Sequence, residues 1–212
     1  MSMSSNFKLM EEELIMQTYY LYIVLTRTNT ALSKLIHTFK KDDYTHAALS
    51  LDSDLNHMYS FGRRNPYNPF IGRFRREDIH EGVYGLCENL PGVIIEVAVT
   101  RQQYDKVKEL MDHFIAHSDR YKYNYRGLWH SIWNKPLSSE DRFMCSEFVY
   151  YVLKESGVMD LQIPRNLVRP QNLLHAEGRI IYQGDLKAVK PRTTIDLYAN
   201  EVGRRRLKIN AL

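Results

Sequence analysis

Apolar and polar positions along the chain repeat with two different periods, and each period predicts a set of elements. Residues 20–26 are rich in β-branched and aromatic side chains and predict a strand. Behind Asn29 or Thr30, either of which can cap a helix, Ala31, Leu32, Leu35, Ile36 and Phe39 recur at helical spacing. Residues 44–51 and 55–61 predict two strands. Asp52-Ser53-Asp54 between them is turn chemistry, so the pair reads as a β-hairpin. Residues 92–100 are strongly β-prone and predict a central strand. Thr100 with Gln103 then forms a capping box for a helix whose Tyr104, Val107, Leu110, Met111, Phe114 and Ile115 make one apolar stripe. A second stripe, Phe148, Val149, Val152 and Leu153, marks a helix that ends near Gly157, a residue suited to the C-cap. Residues 179–182 and 186–189 predict a last hairpin around Gln183-Gly184-Asp185.

Between these elements the pattern lapses. Residues 1–18 form a polar lead-in, with a short helix through Glu11-Glu12-Glu13-Leu14. Residues 62–91 hold Gly62, Pro66, Pro69, Gly72, Gly82, Gly85 and Pro91, and predict a long irregular excursion, either a wall or lid of a site or a simple insertion. Residues 119–137 are aromatic and irregular, Pro164 and Pro170 break the chain, and the tail from about residue 200 is expected to be mobile. Neither an internal repeat nor a clear linker appears, so residues 1–212 read as a single domain with its core at about 20–185. That length is ample for a sizeable core.

Composition sharpens this only a little. Hydrophobic residues make up 44% and charged residues 25% of the chain, which excludes a disordered or fibrous class. The 15 tyrosines fit half-buried strands or a groove. One bridge between Cys87 and Cys145 would add little to a chain this long, so both read as reduced. The N-terminus lacks a secretory pattern, and the most apolar early run, 19–25, is too short to span a bilayer. A cytoplasmic location follows by default. The net charge of +4 is mild, but Arg63, Arg64, Arg73, Arg75 and Arg76 crowd one stretch, and Arg204, Arg205, Arg206 and Lys208 another. Such clusters attract phosphate, anionic lipid or nucleic acid, or they are merely solvated faces. Zinc-ligand spacing, a Gly-rich phosphate loop and nucleic-acid motifs are all missing from the sequence. No metal, cofactor or nucleic-acid partner is therefore expected.

Candidate chemistry resides in two segments far apart. Thr45-His46-Ala47-Ala48-Leu49 places a histidine on a half-buried strand. Phe143-Met144-Cys145-Ser146-Glu147-Phe148-Val149 places a cysteine at the start of an apolar helix. A thiol needs a base to act as a thiolate near neutral pH, and imidazole is suited to that task. If the helix begins near Cys145, its first amides and positive dipole end favour a thiolate and can hold an oxyanion. If it begins at Ser138 or Ser139, Cys145 is a small core hydrophobe. His46 likewise reads as a base or as a hydrogen-bonded structural residue. A three-residue hairpin loop would set His46 opposite Ser60, on one sheet face, where the hydroxyl could orient the imidazole. A one-residue change in the turn would instead bring Tyr59 or Phe61 opposite it.

The order Thr45-His46-Ala47-Ala48-Leu49, Met58-Tyr59-Ser60-Phe61-Gly62-Arg63, Met144-Cys145-Ser146-Glu147-Phe148-Val149 resembles the circularly permuted branch of the NlpC-type papain-like cysteine hydrolases. These are the YiiX-like proteins and relatives of lecithin retinol acyltransferase, in which the histidine strand precedes the cysteine helix. The resemblance implies an α+β, papain-like fold with an antiparallel sheet packed against the helix carrying the cysteine. It further implies Cys145 as nucleophile, His46 as base and Ser60 near the third polar position, where many relatives carry a stronger polar group. The expected activity is a thiol-dependent hydrolase cleaving a peptide or isopeptide bond, such as that of a cell-wall fragment. A transferase or lipid ester hydrolase with the same site, and a binding module on a degenerate site, are the alternatives. Expected partners are accordingly a small peptide, a cell-wall fragment or a lipid.

Overall fold

The computed structural model describes residues 18–28, 42–63, 72–125 and 139–189. The first β-branched run forms β1, Tyr19–Thr26. Next come β2 (His46–Ser50), β3 (Met58–Arg63) and β4 (Gly72–Glu77), then a single helical turn α1 (Gly82–Gly85). The β-prone run of the middle forms β5, Pro91–Val99, and leads into helix α2, Arg101–Ala116. Two short strands follow, β6 (Lys122–Tyr123) and β7 (Arg142–Phe143), then helix α3, Cys145–Glu155. Two 3₁₀ turns, Arg165–Leu167 and Pro170–His175, precede β8, Arg179–Asp185.

All strands join one sheet in the order β7-β6-β4-β3-β2-β1-β5-β8. Every pairing is antiparallel except β6 with β7, which is parallel, so the sheet is mixed rather than purely antiparallel. Side chains alternate between two faces, as the strand period requires. One face carries Leu21, Ile23, Leu25, Ala47, Leu49, Phe61 and Phe74 against α2 and α3. Here Phe148 of α3 meets Phe61, Phe74 and Phe114 at ring separations of 5.6, 5.3 and 5.1 Å. The other face carries Tyr22, Val24, Ala48, Met58 and Ile94 beneath Tyr84, Leu90 and Leu186. The two long helices, α2 and α3, segregated to one face of a largely antiparallel sheet, define an α+β architecture.

Three expected features take a different form. The β2–β3 turn is longer than three residues, because the Asp52 carboxylate accepts the backbone N–H of Asn56 at 2.9 Å and of His57 at 2.7 Å. This ties off a wider loop, with Leu55 at φ 60°, and strand β3 begins only at Met58. Leu49 then faces Tyr59, and the register sits two residues from the expected one. The 62–91 stretch is not wholly irregular: it contains β4 and α1, and β4 pairs along the whole of β3. The last hairpin is absent. Residues 179–185 form one strand on β5, and Leu186–Ala188 turns as a 3₁₀ segment because Asp185 accepts the Lys187 N–H. The expected helices at 11–14 and 31–39, Arg64 and the basic tail lie outside the described residues. Among the described residues no helix is long and apolar enough to cross a membrane.

Candidate active site

His46 opens β2, and Thr26, the last residue of β1, is its cross-strand partner. Parity carries the face outward: Ser50 opposes Met58, and Ser60 and Glu77 share the face of Met58 on β3 and β4. The two-residue register change keeps this parity, so Ser60 stays on the histidine's face although it is not directly opposite. Ser60 Oγ lies 3.2 Å from His46 Nε2. A carboxylate is closer still, since His46 Nε2 donates to Glu77 Oε2 at 3.0 Å. Ser60 also favours the charged form of the carboxylate that holds the ring.

Glu77 is itself held from a further side. The Tyr84 hydroxyl of α1 donates to Glu77 Oε2 at 3.0 Å, and Thr26 Oγ1 donates to the Tyr84 oxygen at 3.4 Å. Tyr84 also sets its ring edge-on to the imidazole, 5.9 Å away. Gly62 is glycine for a steric reason: a Cβ there would come within 2.4 Å of Glu77 Oε1. A glycine inside a strand often marks such a close approach.

Helix α3 begins at Cys145, with Met144 extended before it, so the thiol occupies the first helical position. Strand β7 ends one residue earlier and leaves no room for a start at Ser139. The buried Glu147 of the same turn accepts the Met144 N–H at 2.6 Å and the Asn124 amide at 3.1 Å, with Arg165 Nε 3.9 Å away. Burial pushes the Glu147 carboxyl upward in spite of those three donors. The helix start is therefore anchored from within. Cys145 is buried and unbridged, as is the half-buried Cys87 unbridged, in keeping with two reduced thiols.

Cys145 acts on the imidazole electrostatically, favouring its charged form. Because Nε2 is engaged by Glu77, Nδ1 is the ring nitrogen available to a thiol. Burial disfavours the imidazolium and is the largest single influence on His46. Glu77 and Cys145, through charge and hydrogen bonding, together outweigh it and raise the pKa to about 10. Burial also works against the Glu77 carboxylate, but the His46 charge and the donors His46, Ser60 and Tyr84 prevail and hold it below its ordinary value. The His46 side chain keeps 17% of its surface exposed. Such a set can stabilise an anion at sulfur and pass a proton at Nδ1.

The structure thus brings together His46, Ser60 and Cys145, and adds Glu77 and Tyr84, which sequence reasoning missed. Glu77 closes the arginine-rich run, of which the sequence reading weighed only the cations. The overlooked signals were the alternation of 72–77 as a strand and the glycine at 62. Among the described residues no group of three or more His, Cys, Asp or Glu side chains is placed to hold a metal ion. Comparison with protein-family models, curated proteins and solved structures finds no match to the chain.

Proposed function

We propose that this protein is a thiol-dependent hydrolase of an amide bond, with Cys145 as nucleophile, His46 as acid and base, and Glu77 as the residue that orients the imidazole. One observation carries the reading. A thiol at the first position of an 11-residue helix meets an imidazole whose other nitrogen is held by a buried carboxylate. A nucleophile, a base and an orienting acid in sequence is the arrangement nucleophilic catalysis requires. The order of histidine strand before cysteine helix supports a permuted papain-like relationship, and with it a peptide or isopeptide substrate.

In this reading the Cys145 sulfur, as thiolate, attacks the substrate carbonyl while His46 carries both ring protons. The amides of Cys145 and Ser146 at the helix start receive the oxyanion. His46 Nδ1–H protonates the leaving amine as the C–N bond breaks, and a thioester remains on Cys145. Water then attacks the thioester carbonyl, and its proton passes to Nδ1. The carboxylic acid leaves, and the thiolate–imidazolium pair is restored. Ser60 and Tyr84 stay in place, holding Glu77 against Nε2.

The test is alkylation of Cys145 by iodoacetamide as a function of pH, mapped by mass spectrometry in the wild type and in His46→Ala. Cys87, whose thiol contacts the Val83 carbonyl at 3.4 Å, serves as the internal reference. Rapid labelling of Cys145 well below pH 8, slowed in His46→Ala, is expected. Equal, slow labelling of Cys145 in both proteins overturns the reading.

A further inference from the structure

The face of the sheet that carries His46, Ser60 and Glu77 continues outward into a line of cations. Arg73 on β4 is the direct ladder partner of Lys122 on β6, and Lys122 is the partner of Arg142 on β7. Three positive side chains thus stand abreast on three neighbouring strands. Their backbones are not free to turn away. The adjoining positions Phe74, Tyr123 and Phe143 are buried in the core on the opposite face, and a Cβ at Gly72 would lie 2.7 Å from Tyr123.

Like charges directly opposed in a ladder are destabilising. Protection of a sheet edge explains single lysines, but alternating signs would protect the edge equally well and attract one another. Among the described residues, the carboxylate ion-paired with the row is Asp119, 3.5 Å from Arg73 Nη1. Its side chain is 97% exposed, so it is a weak competitor for a ligand. Arg75, also on this face, is directed toward α1 instead, 3.3 Å from where a Cβ of Gly82 would sit. The row is continuous with the reacting groups. Gly62, which lies against the Glu77 carboxylate, is the ladder partner of Arg73, and Arg142 precedes Cys145 by one short turn of chain.

We propose that Arg73, Lys122 and Arg142 form an anion subsite that selects substrates bearing a carboxylate or phosphate remote from the bond attacked by Cys145. This rests on the hydrolase reading above. Strands spaced about 4.8 Å apart place the row about 10 to 20 Å from the strand of His46. The substrate is therefore an acyl compound with a spacer of that length ending in a negative group. Arginine pairs with either anion through two parallel hydrogen bonds, while lysine adds a point charge.

The experiment uses bromoacetamides whose chains of about 10 Å, matching the strand spacing, end in a carboxylate, a phosphate or a neutral amide. The rate of Cys145 labelling is measured at low salt for each, in the wild type, in the double variant Arg73→Gln, Lys122→Gln, and in Lys106→Gln, Lys108→Gln. The last pair removes the same charge from helix α2, away from the row. In the wild type an anionic chain is expected to label about tenfold faster than the neutral one, the scale of one or two charge-assisted contacts. The ratio falls to about one in the row variant and persists in the α2 variant. The faster of the two anions identifies the substrate's group. A ratio near one in the wild type, or equal ratios in the two variants, overturns the subsite. Inorganic phosphate titration, read from the amide signals of Arg73, Lys122 and Arg142, separates the two proposals. Shifts at these residues in a protein whose Cys145 resists iodoacetamide leave the subsite standing and remove the hydrolase. A reactive Cys145 with no shifts does the reverse.

Discussion

At the scale of single residues, the site turns on one buried carboxylate. Glu77 is the group that keeps the His46 ring charged against burial. Replacing it by Gln keeps the shape and removes the charge. The His46 resonance followed by NMR should then titrate well below 10, and Cys145 labelling at pH 7 should fall about tenfold to a thousandfold, the range for losing an opposite charge beside a titrating group. Unchanged titration of His46 in Glu77→Gln would show that the carboxylate does not hold the ring. His46 and Cys145 were legible in the sequence because each stands at the edge of a clear apolar pattern. Ser60 was legible for a reason that survives error: a two-residue register change preserves the sheet face. Glu77 was illegible because an Arg-Arg-Glu-Asp run reads as solvated charge, and only the pairing of β4 with β3 turns it inward.

At the scale of elements, strong local chemistry was readable and long-range pairing was not. The Thr100 and Gln103 capping box forms as expected, and Val107, Met111 and Phe114 are the buried stripe of α2. Gly157 ends α3 as a Schellman motif: its N–H reaches the Lys154 carbonyl at 2.9 Å and the Val158 N–H reaches that of Leu153 at 2.8 Å. Gly157 has φ +68°, and a Cβ there would meet nothing within 4 Å. Gly157→Ala therefore adds backbone strain without a clash. It should lower unfolding stability by about 1 kcal/mol, measured by urea denaturation. A neutral result would mean that the helix end relaxes out of the left-handed region. By contrast, the pairing that makes 179–185 a single strand depends on β5, a distant partner that no local pattern announces. The wide β2–β3 loop rests on local Asp52 bonds, but Asp-Ser-Asp turn composition alone does not tell it from a three-residue loop.

At the scale of the whole molecule, the His46–Glu77 pair couples folding to pH. An imidazole that titrates at 6.5 when unfolded and at about 10 when folded binds more protons in the native state between those values. Its contribution is fully present below pH 6.5 and is lost as pH rises through 10. Glu77 has the opposite sign: its contribution is present above its unfolded value of 4.5 and is lost as pH falls through the lower folded value. Glu147, held upward by burial, partly offsets Glu77 on the acid side. Thermal unfolding should show stability declining from pH 7 to pH 10, with a flatter decline in His46→Ala. Identical slopes would remove His46 as the cause.

Strand β1 lies between β2 and β5, and from Leu21 to Thr26 every residue is buried. The imidazole rides on β2 beside it, and the hydroxyl and carboxylate on the interior strands β3 and β4 beyond, whereas Lys122 and Arg142 stand on two-residue strands at the rim of the sheet. Tolerance to substitution falls from rim to centre, because interior changes disturb packing on both faces. Selection can therefore rewrite the rim, and with it the proposed anion subsite, while the centre that holds His46 stays fixed. The order of the strands separates what this chain can evolve from what it must keep.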